Sequence, residues 1–189
     1  MDREDAQQAL ETLGDVLLTR GLSYEIVAIG GSGLLLLGLV VRPTADVDVV
    51  AIVEGGRYQL AKPLPAPLEE AQAEVGAALG LGEKWLNPGP TDLLDLGLPE
   101  GFEARVETLE FGGLTVHLAG RFDQICFKLY AAVDQGHRNK HFADLQQLQP
   151  EPDELVQAAR WAQQHDPSEG FRRLLLDVLE LLGVERGDF

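Results

Sequence analysis

Cysteine is nearly absent from this sequence. The single one, Cys126, excludes an internal disulfide and a cysteine-built zinc site. Its apolar neighbours, Ile125 and Phe127, predict a buried core residue. Basic residues are also scarce: 15 Lys and Arg stand against 31 Asp and Glu, a formal charge of −16. Contact with a nucleic-acid backbone needs clustered cations, so this balance weighs against a long RNA or DNA as partner. Long apolar runs are missing as well. The longest, residues 34–41, falls far short of the ~20 residues that cross a bilayer. The first residues, Met-Asp-Arg-Glu-Asp, lack the basic-then-apolar order of a secretory signal. The expectation is a cytoplasmic protein without membrane attachment. What is present is a globular composition, 45% hydrophobic.

Along the chain, apolar positions Ala6, Leu10, Leu13, Val16 and Leu17 recur near a helical period and predict a helix over residues 2–20. Residues 24–29 form a short strand-like run. A glycine turn and a buried helix follow to residue 39, and Pro43 ends them. Residues 47–53 are the next strand. Residues 57–67 carry three prolines and no period, which predicts a loop. A helix is expected over residues 68–81. Residues 85–90 read as a rigid turn and residues 91–96 as a short strand or turn. Weak alternation around Gly112-Gly113 predicts a hairpin. After Gly120 the pattern becomes helical, with segments at 122–133, 141–148, 152–165 and 170–182, the last capped by Ser168. The prediction is an α/β core over residues 1–120 and a helical part over 121–189 packed on it.

The chemistry concentrates in residues 29–50. Ile29-Gly30-Gly31-Ser32-Gly33 leads through the apolar run to Arg42-Pro43-Thr44-Ala45-Asp46-Val47-Asp48. Two residues apart on a strand, Asp46 and Asp48 point to one face. Paired carboxylates repel unless a raised pKa or a bound divalent cation compensates. A glycine turn at a helix start suits phosphate. No Gly-Lys-Ser/Thr follows, so the turn is not a P-loop. A solvated strand edge is the plain alternative.

The whole pattern resembles the signature of the nucleotidyltransferase superfamily that includes DNA polymerase beta, the minimal nucleotidyltransferases and the AbiEii-type toxins. The segment FKLYAAVDQGHRNKHFADLQQLQP is similar to the Lys…Asp segment of the AbiEii-like branch. LPEGFEARVETLEFGGLTVHLAG resembles the hairpin that precedes it there. The resemblance spans about residues 22–150. It implies an α+β fold of nucleotidyltransferase type, a mixed sheet flanked by helices with a helical C-terminal segment. It implies that Gly30, Gly31 and Ser32 bind the triphosphate of an NTP. Arg42 and Thr44 flank the metal strand, where Arg42 touches phosphate and Thr44 orients an aspartate. Asp46 and Asp48 hold Mg²⁺ or Mn²⁺. Lys128 and Asp144 match further catalytic positions, with Lys128 neutralising phosphate charge. The implied reaction moves a nucleoside monophosphate to a hydroxyl of an RNA end, a protein or a small molecule.

The superfamily takes a third carboxylate from a later strand. Asp92, Asp95, Glu103 and Glu107 are candidates here, with Asp92 the first choice as a metal ligand. Where relatives carry Lys-Asp, this chain has Lys140-His141, and His141 is expected at the surface. Arg138 and Lys140 form the one local basic cluster and are candidates for a substrate phosphate. Without a third acid, the protein would bind nucleotide without turnover, with a protein partner in a toxin–antitoxin or defence pair. On bare residues, Lys128 reads as a snorkelling lysine and Asp144 as part of a solvated helix face. Trp85 and Trp161 read as packing residues.

Overall fold

A mixed sheet organises the first of two compact units, Met1–Ala119, and the described residues of the second, Gly120–Phe189, form four helices. The computed structural model describes residues 1–136 and 139–185. The first unit opens with α1 (Arg3–Thr19), β1 (Tyr24–Ile29), α2 (Gly30–Leu36), β2 (Val47–Glu54) and β3 (Arg57–Leu60). It continues with α3 (Ala66–Leu79), β4 (Leu86–Asn87), α4 (Asp92–Leu96), β5 (Glu107–Phe111) and β6 (Leu114–Leu118).

The strands run in the order β3-β2-β1-β6-β5, and β4 adds to β2. β1 pairs antiparallel with β2 and parallel with β6, so both kinds of ladder meet on the central strand. One face of the sheet is covered by α1 and α3. Leu10, Leu13 and Leu17 of α1 and Leu68 and Val75 of α3 share one core with Ile26, Val49 and Val116. The apolar period of α1 explains this, because residues three and four apart fall on one helix face. Asp2 and Asp5 cap its start reciprocally through each other's backbone N–H.

Gly14 lets α1 reach the β5–β6 hairpin. A Cβ there would sit 1.6 Å from the Phe111 carbonyl oxygen. The Gly113 N–H donates to the Gly14 carbonyl at 3.0 Å across this contact.

The pairing of β1 with β2 carries a bulge. Ile26 faces Ile52 and Val27 faces Ala51, but Ala28 faces Val49 and Ile29 faces Asp48. The ladder slips by one residue, and a one-residue slip exchanges the faces of everything beyond it. Val47 and Val49 therefore share a core with Ile52, three residues on.

Three short elements are the hardest to place from their residues. Residues 57–60 form an edge strand rather than loop, because Arg57-Tyr58-Gln59-Leu60 is mostly exposed on both faces and carries no alternation. Residues 92–96 take the turn of the two expected alternatives, as one short helical turn. The turn-rich stretch at 85–90 contains the two-residue β4.

The second unit holds α5 (Arg121–Asp134), α6 (Lys140–Leu148), α7 (Pro152–His165) and α8 (Glu169–Leu181). Ser168 Oγ caps α8, accepting from the Phe171 N–H at 3.2 Å. Arg121 on α5 pairs with Glu154 on α7 and donates to the Leu148 carbonyl at the end of α6 at 2.8 Å, tying three helices together. Trp161 packs edge-on against Phe127 and Tyr130, as expected of a packing residue, and Cys126 is fully buried, as its apolar context predicts.

Among the described residues no helix is long and apolar enough to cross a membrane.

Candidate functional site

The two aspartates straddle the start of β2. Asp46 lies in the bend before the strand and Asp48 is its second residue, both half-buried, with Val47 turned into the core. They meet on one side chain that sequence reasoning left unassigned. Asn87 Nδ2 donates to Asp46 Oδ2 at 3.1 Å and to Asp48 Oδ1 at 2.9 Å. Asn87 stands beside Asp48 in the parallel β2–β4 register. Its amide orientation is fixed from behind, because the Gly89 N–H donates to Asn87 Oδ1 at 3.0 Å. An amide has one donor end and one acceptor end, so an oxygen taken by an N–H leaves the nitrogen facing the acids.

Two anchors place Asn87. On one side Trp85 is buried, donates from Nε1 to the Gln72 carbonyl at 2.8 Å, and its own carbonyl accepts from Val47. On the other side the buried Thr91 hydroxyl accepts from the Ala61 N–H at 2.7 Å. The clue in the sequence is Asn-Pro-Gly, which favours an Asn side chain bonded to the backbone two residues on. The pairing of β4 with β2 left no signal, since two residues show no period.

The glycine turn packs against the same carboxylates. Gly30 has φ +77°, a conformation that disfavours side chains. A Cβ there would fall 2.4 Å from Asp48 Oδ2. Above Gly31 lie Arg42 and Thr44: a Cβ on Gly31 would be 3.2 Å from Arg42 Nη2 and 3.3 Å from Thr44 Oγ1. Thr44 orients the backbone at Asp46 rather than its carboxylate, its hydroxyl donating to the Asp46 carbonyl at 3.1 Å. Ser32 is fully buried. Its Oγ donates to the Ile29 carbonyl and accepts from the Asp48 N–H, both at 3.3 Å. That hydroxyl staples α2 to β2, so what Ser32 has left to offer a phosphate is its backbone N–H.

The expected third carboxylate does not join the pair. Among the described residues no group of three His, Cys, Asp or Glu gathers in a way that could hold a metal. Asp92 sits exposed at the start of α4, and Asp95, Glu103 and Glu107 are exposed too. The physical reason is the path of the chain. After Asn87 it turns through Pro88-Gly89-Pro90 into a helical turn, so the residue set beside Asp48 is the asparagine, five positions before Asp92.

Lys128 and Asp144 come together within the second unit. Lys128 Nζ pairs with Asp144 Oδ2 at 2.8 Å, and the two side chains are 3% and 1% exposed. Neither is a snorkelling or solvated group, and the ammonium is not presented to solvent. Lys140 is exposed and His141 is half-buried, its N–H donating to the capping Asn139 Oδ1 at 2.8 Å. Arg138 lies outside the described residues. His117 bridges neighbouring strands, with Thr108 at 3.0 Å on Nδ1 and Glu25 at 3.1 Å on Nε2.

A mixed sheet that sets a Gly-Gly-Ser turn against an Asp-Val-Asp strand defines an α/β protein of nucleotidyltransferase type. The chain belongs to the family described as nucleotidyltransferase of unknown function (DUF6036), whose model matches residues 7–147. No curated protein matches the chain, and no solved structure does.

Proposed function

We propose that the protein is a divalent-cation-dependent nucleotidyltransferase that moves a nucleoside monophosphate from an NTP to a hydroxyl. The observation that carries this is the convergence of Asp46 and Asp48 on one amide beside the Gly30-Gly31 turn. The donor set fits Mg²⁺ or Mn²⁺. It is two half-exposed carboxylates without His or Cys, and Mg²⁺ is commonly held by one or two carboxylates plus waters and substrate phosphates. Asp46 and Asp48 would hold the cation, which when bound orients the triphosphate and offsets its charge.

The remaining residues have separate tasks. Gly30 lets the turn close on Asp48 without a side chain between them. Gly31 leaves the space under the Arg42 guanidinium open. Arg42 supplies positive charge where α2, at seven residues, has little dipole of its own. Thr44 and Ser32 fix the backbone on either side of the pair. The transfer is an in-line displacement: the acceptor hydroxyl gives its proton to water, its oxygen bonds the α-phosphorus, and the α–β anhydride breaks with its electron pair leaving on pyrophosphate. The net charge of −16 favours a small molecule, a protein hydroxyl or a short RNA end as acceptor over a long duplex. The spacing of Lys128 and Asp144 supports an AbiEii-like relationship within the superfamily.

Wild-type protein with Mg²⁺ and α-labelled NTPs is expected to release pyrophosphate and label an acceptor. Asp46→Asn is expected to cut transfer about a hundredfold or more, the scale of losing one electrostatic contact to a transition state. A wild type that neither releases pyrophosphate nor shifts its melting temperature with Mg²⁺-NTP sinks the proposal.

One observation favours a second reading. The side chain against the acids is a neutral amide, and no third acid joins them among the described residues. On that reading the protein binds NTP without transferring it and acts through a protein partner, as in a toxin–antitoxin or defence-type complex. Thermal stabilisation by NTP without pyrophosphate release selects it.

A further inference from the structure

We propose that Asn87 is the positioning residue of the carboxylate pair, a neutral clasp that holds Asp46 and Asp48 together when no cation is bound. It keeps the site weak for free divalent ions, so the cation enters together with its triphosphate. This rests on the cation role proposed above for the pair.

The geometry has three parts. First, the amide carries two hydrogens, and its nitrogen lies at bonding distance from one oxygen of each acid, 3.1 and 2.9 Å. Second, the amide oxygen is turned away and accepts from the Gly89 N–H. In this orientation Asn87 offers a cation no ligand atom. The orientation is also tight, since a Cβ on Gly89 would lie 3.0 Å from that oxygen. Third, the backbone at Asn87 is fixed by its register with Asp48 and by the flanking Trp85 and Thr91 anchors.

The electrostatic consequence follows. Two like charges on neighbouring positions repel, and the partial positive charge of the amide hydrogens offsets part of that repulsion. A free divalent ion competes with both hydrogen bonds and gains only two carboxylates. An ion that arrives on a triphosphate brings its own oxygen ligands and needs no third acid from the protein.

The test uses the full-length chain and Mn²⁺ alone, titrated by electron paramagnetic resonance, with circular dichroism to confirm folding. Asn87→Asp places a third carboxylate against the pair and is expected to bind free Mn²⁺ at least tenfold tighter than wild type. Asn87→Ala removes the clasp and is expected to bind Mn²⁺ as tightly as wild type or tighter. A gain of affinity is a readout that mere structural damage would not produce. Folded Asn87→Asp with wild-type affinity or less overturns the clasp. Weaker binding by folded Asn87→Ala overturns it too, because Asn87 would then strengthen the site for a free ion instead of weakening it. Adding Asp46→Asn to each protein separates the two proposals. If Mn²⁺ binding persists unchanged in all of them, the cation is not on the pair, and both the clasp and the cation role fail. If it disappears, the cation role stands and the clasp is judged by the Asn87 variants alone.

Discussion

Acidic residues are used in opposite ways in the two units. In the first, Asp46 and Asp48 are half-buried, and both accept from one neutral amide. In the second, Asp144 is buried and faces a full positive charge on Lys128 at 2.8 Å. A charge compensated inside the fold serves the fold. Two carboxylates set side by side near solvent repel each other, and a bound cation would relieve that repulsion. The comparison teaches that a match to a family pattern does not fix a residue's task. The resemblance puts Asp46, Asp48, Lys128 and Asp144 in one catalytic set, yet the first two are half-buried and the last two are closed on each other out of water.

The strongest way to break this contrast is to remove one half of the buried pair. Lys128→Met leaves the Asp144 carboxylate buried without its cation and is expected to cost about 3–5 kcal/mol. At the scale for a chain of this size, that lowers the melting temperature by about 10 °C. Lys128→Met combined with Asp144→Leu is expected to recover most of the loss, since a well-packed apolar pair can replace a buried ion pair. Calorimetry on the two singles and the double gives the coupling directly.

Gly30→Ala probes the other side at its tightest point. The left-handed backbone alone costs a side chain about 1–2 kcal/mol. The new Cβ would also push on Asp48 Oδ2 and pull its carboxylate from Asn87. Calorimetry is expected to show a drop of several degrees, and Mn²⁺ titration a weaker site.

Asp46→Asn sharpens the contrast through stability rather than activity. Relieving one like charge is expected to leave stability within about 0.5 kcal/mol of wild type, on the favourable side, in urea melts. A loss comparable to that of Lys128→Met would mean that Asp46 serves the fold after all.

The smallest effect is set by His165 in the second unit. Its ring packs on Trp161 with centroids 4.3 Å apart, and its Nε2 is buried without a hydrogen-bond partner among the described residues. Burial lowers its pKa from the usual histidine range. The unfolded chain therefore binds this proton more readily than the folded one. Stability is full above the unfolded value, about 6.5, and falls as pH drops from there through the lowered folded value. Urea midpoints measured from pH 7.5 down to 5.5 are expected to decline in wild type. His165→Phe is expected to flatten that decline.

Much of this was legible in the residues. The helical periods of α1, α5 and α7 were readable because each is long enough to repeat its apolar face several times. The hairpin was readable from Gly112-Gly113, and the cap of α8 from Ser168. β3 and β4 were not, because an exposed edge strand and a two-residue strand carry no repeat. A third acid is recognisable in a sequence only by residue type, whereas proximity to Asp48 is decided by strand pairing, and pairing selects an amide.

The sequence by itself determined the glycine turn, the two-residue spacing of Asp46 and Asp48, the mixed α/β class with its helical C-terminal part, and the membership in a nucleotidyltransferase family. These are local or statistical properties of a chain, and local steric and hydrophobic rules are enough to express them. Only the tertiary structure decided that a bulge brings Asp48, not Val49, opposite Ile29 at the edge of the turn. It alone set Asn87 between the acids, and it alone closed Lys128 onto Asp144 out of water. Each of those outcomes depends on register or burial, which belong to pairs of segments distant in sequence and to neither segment alone.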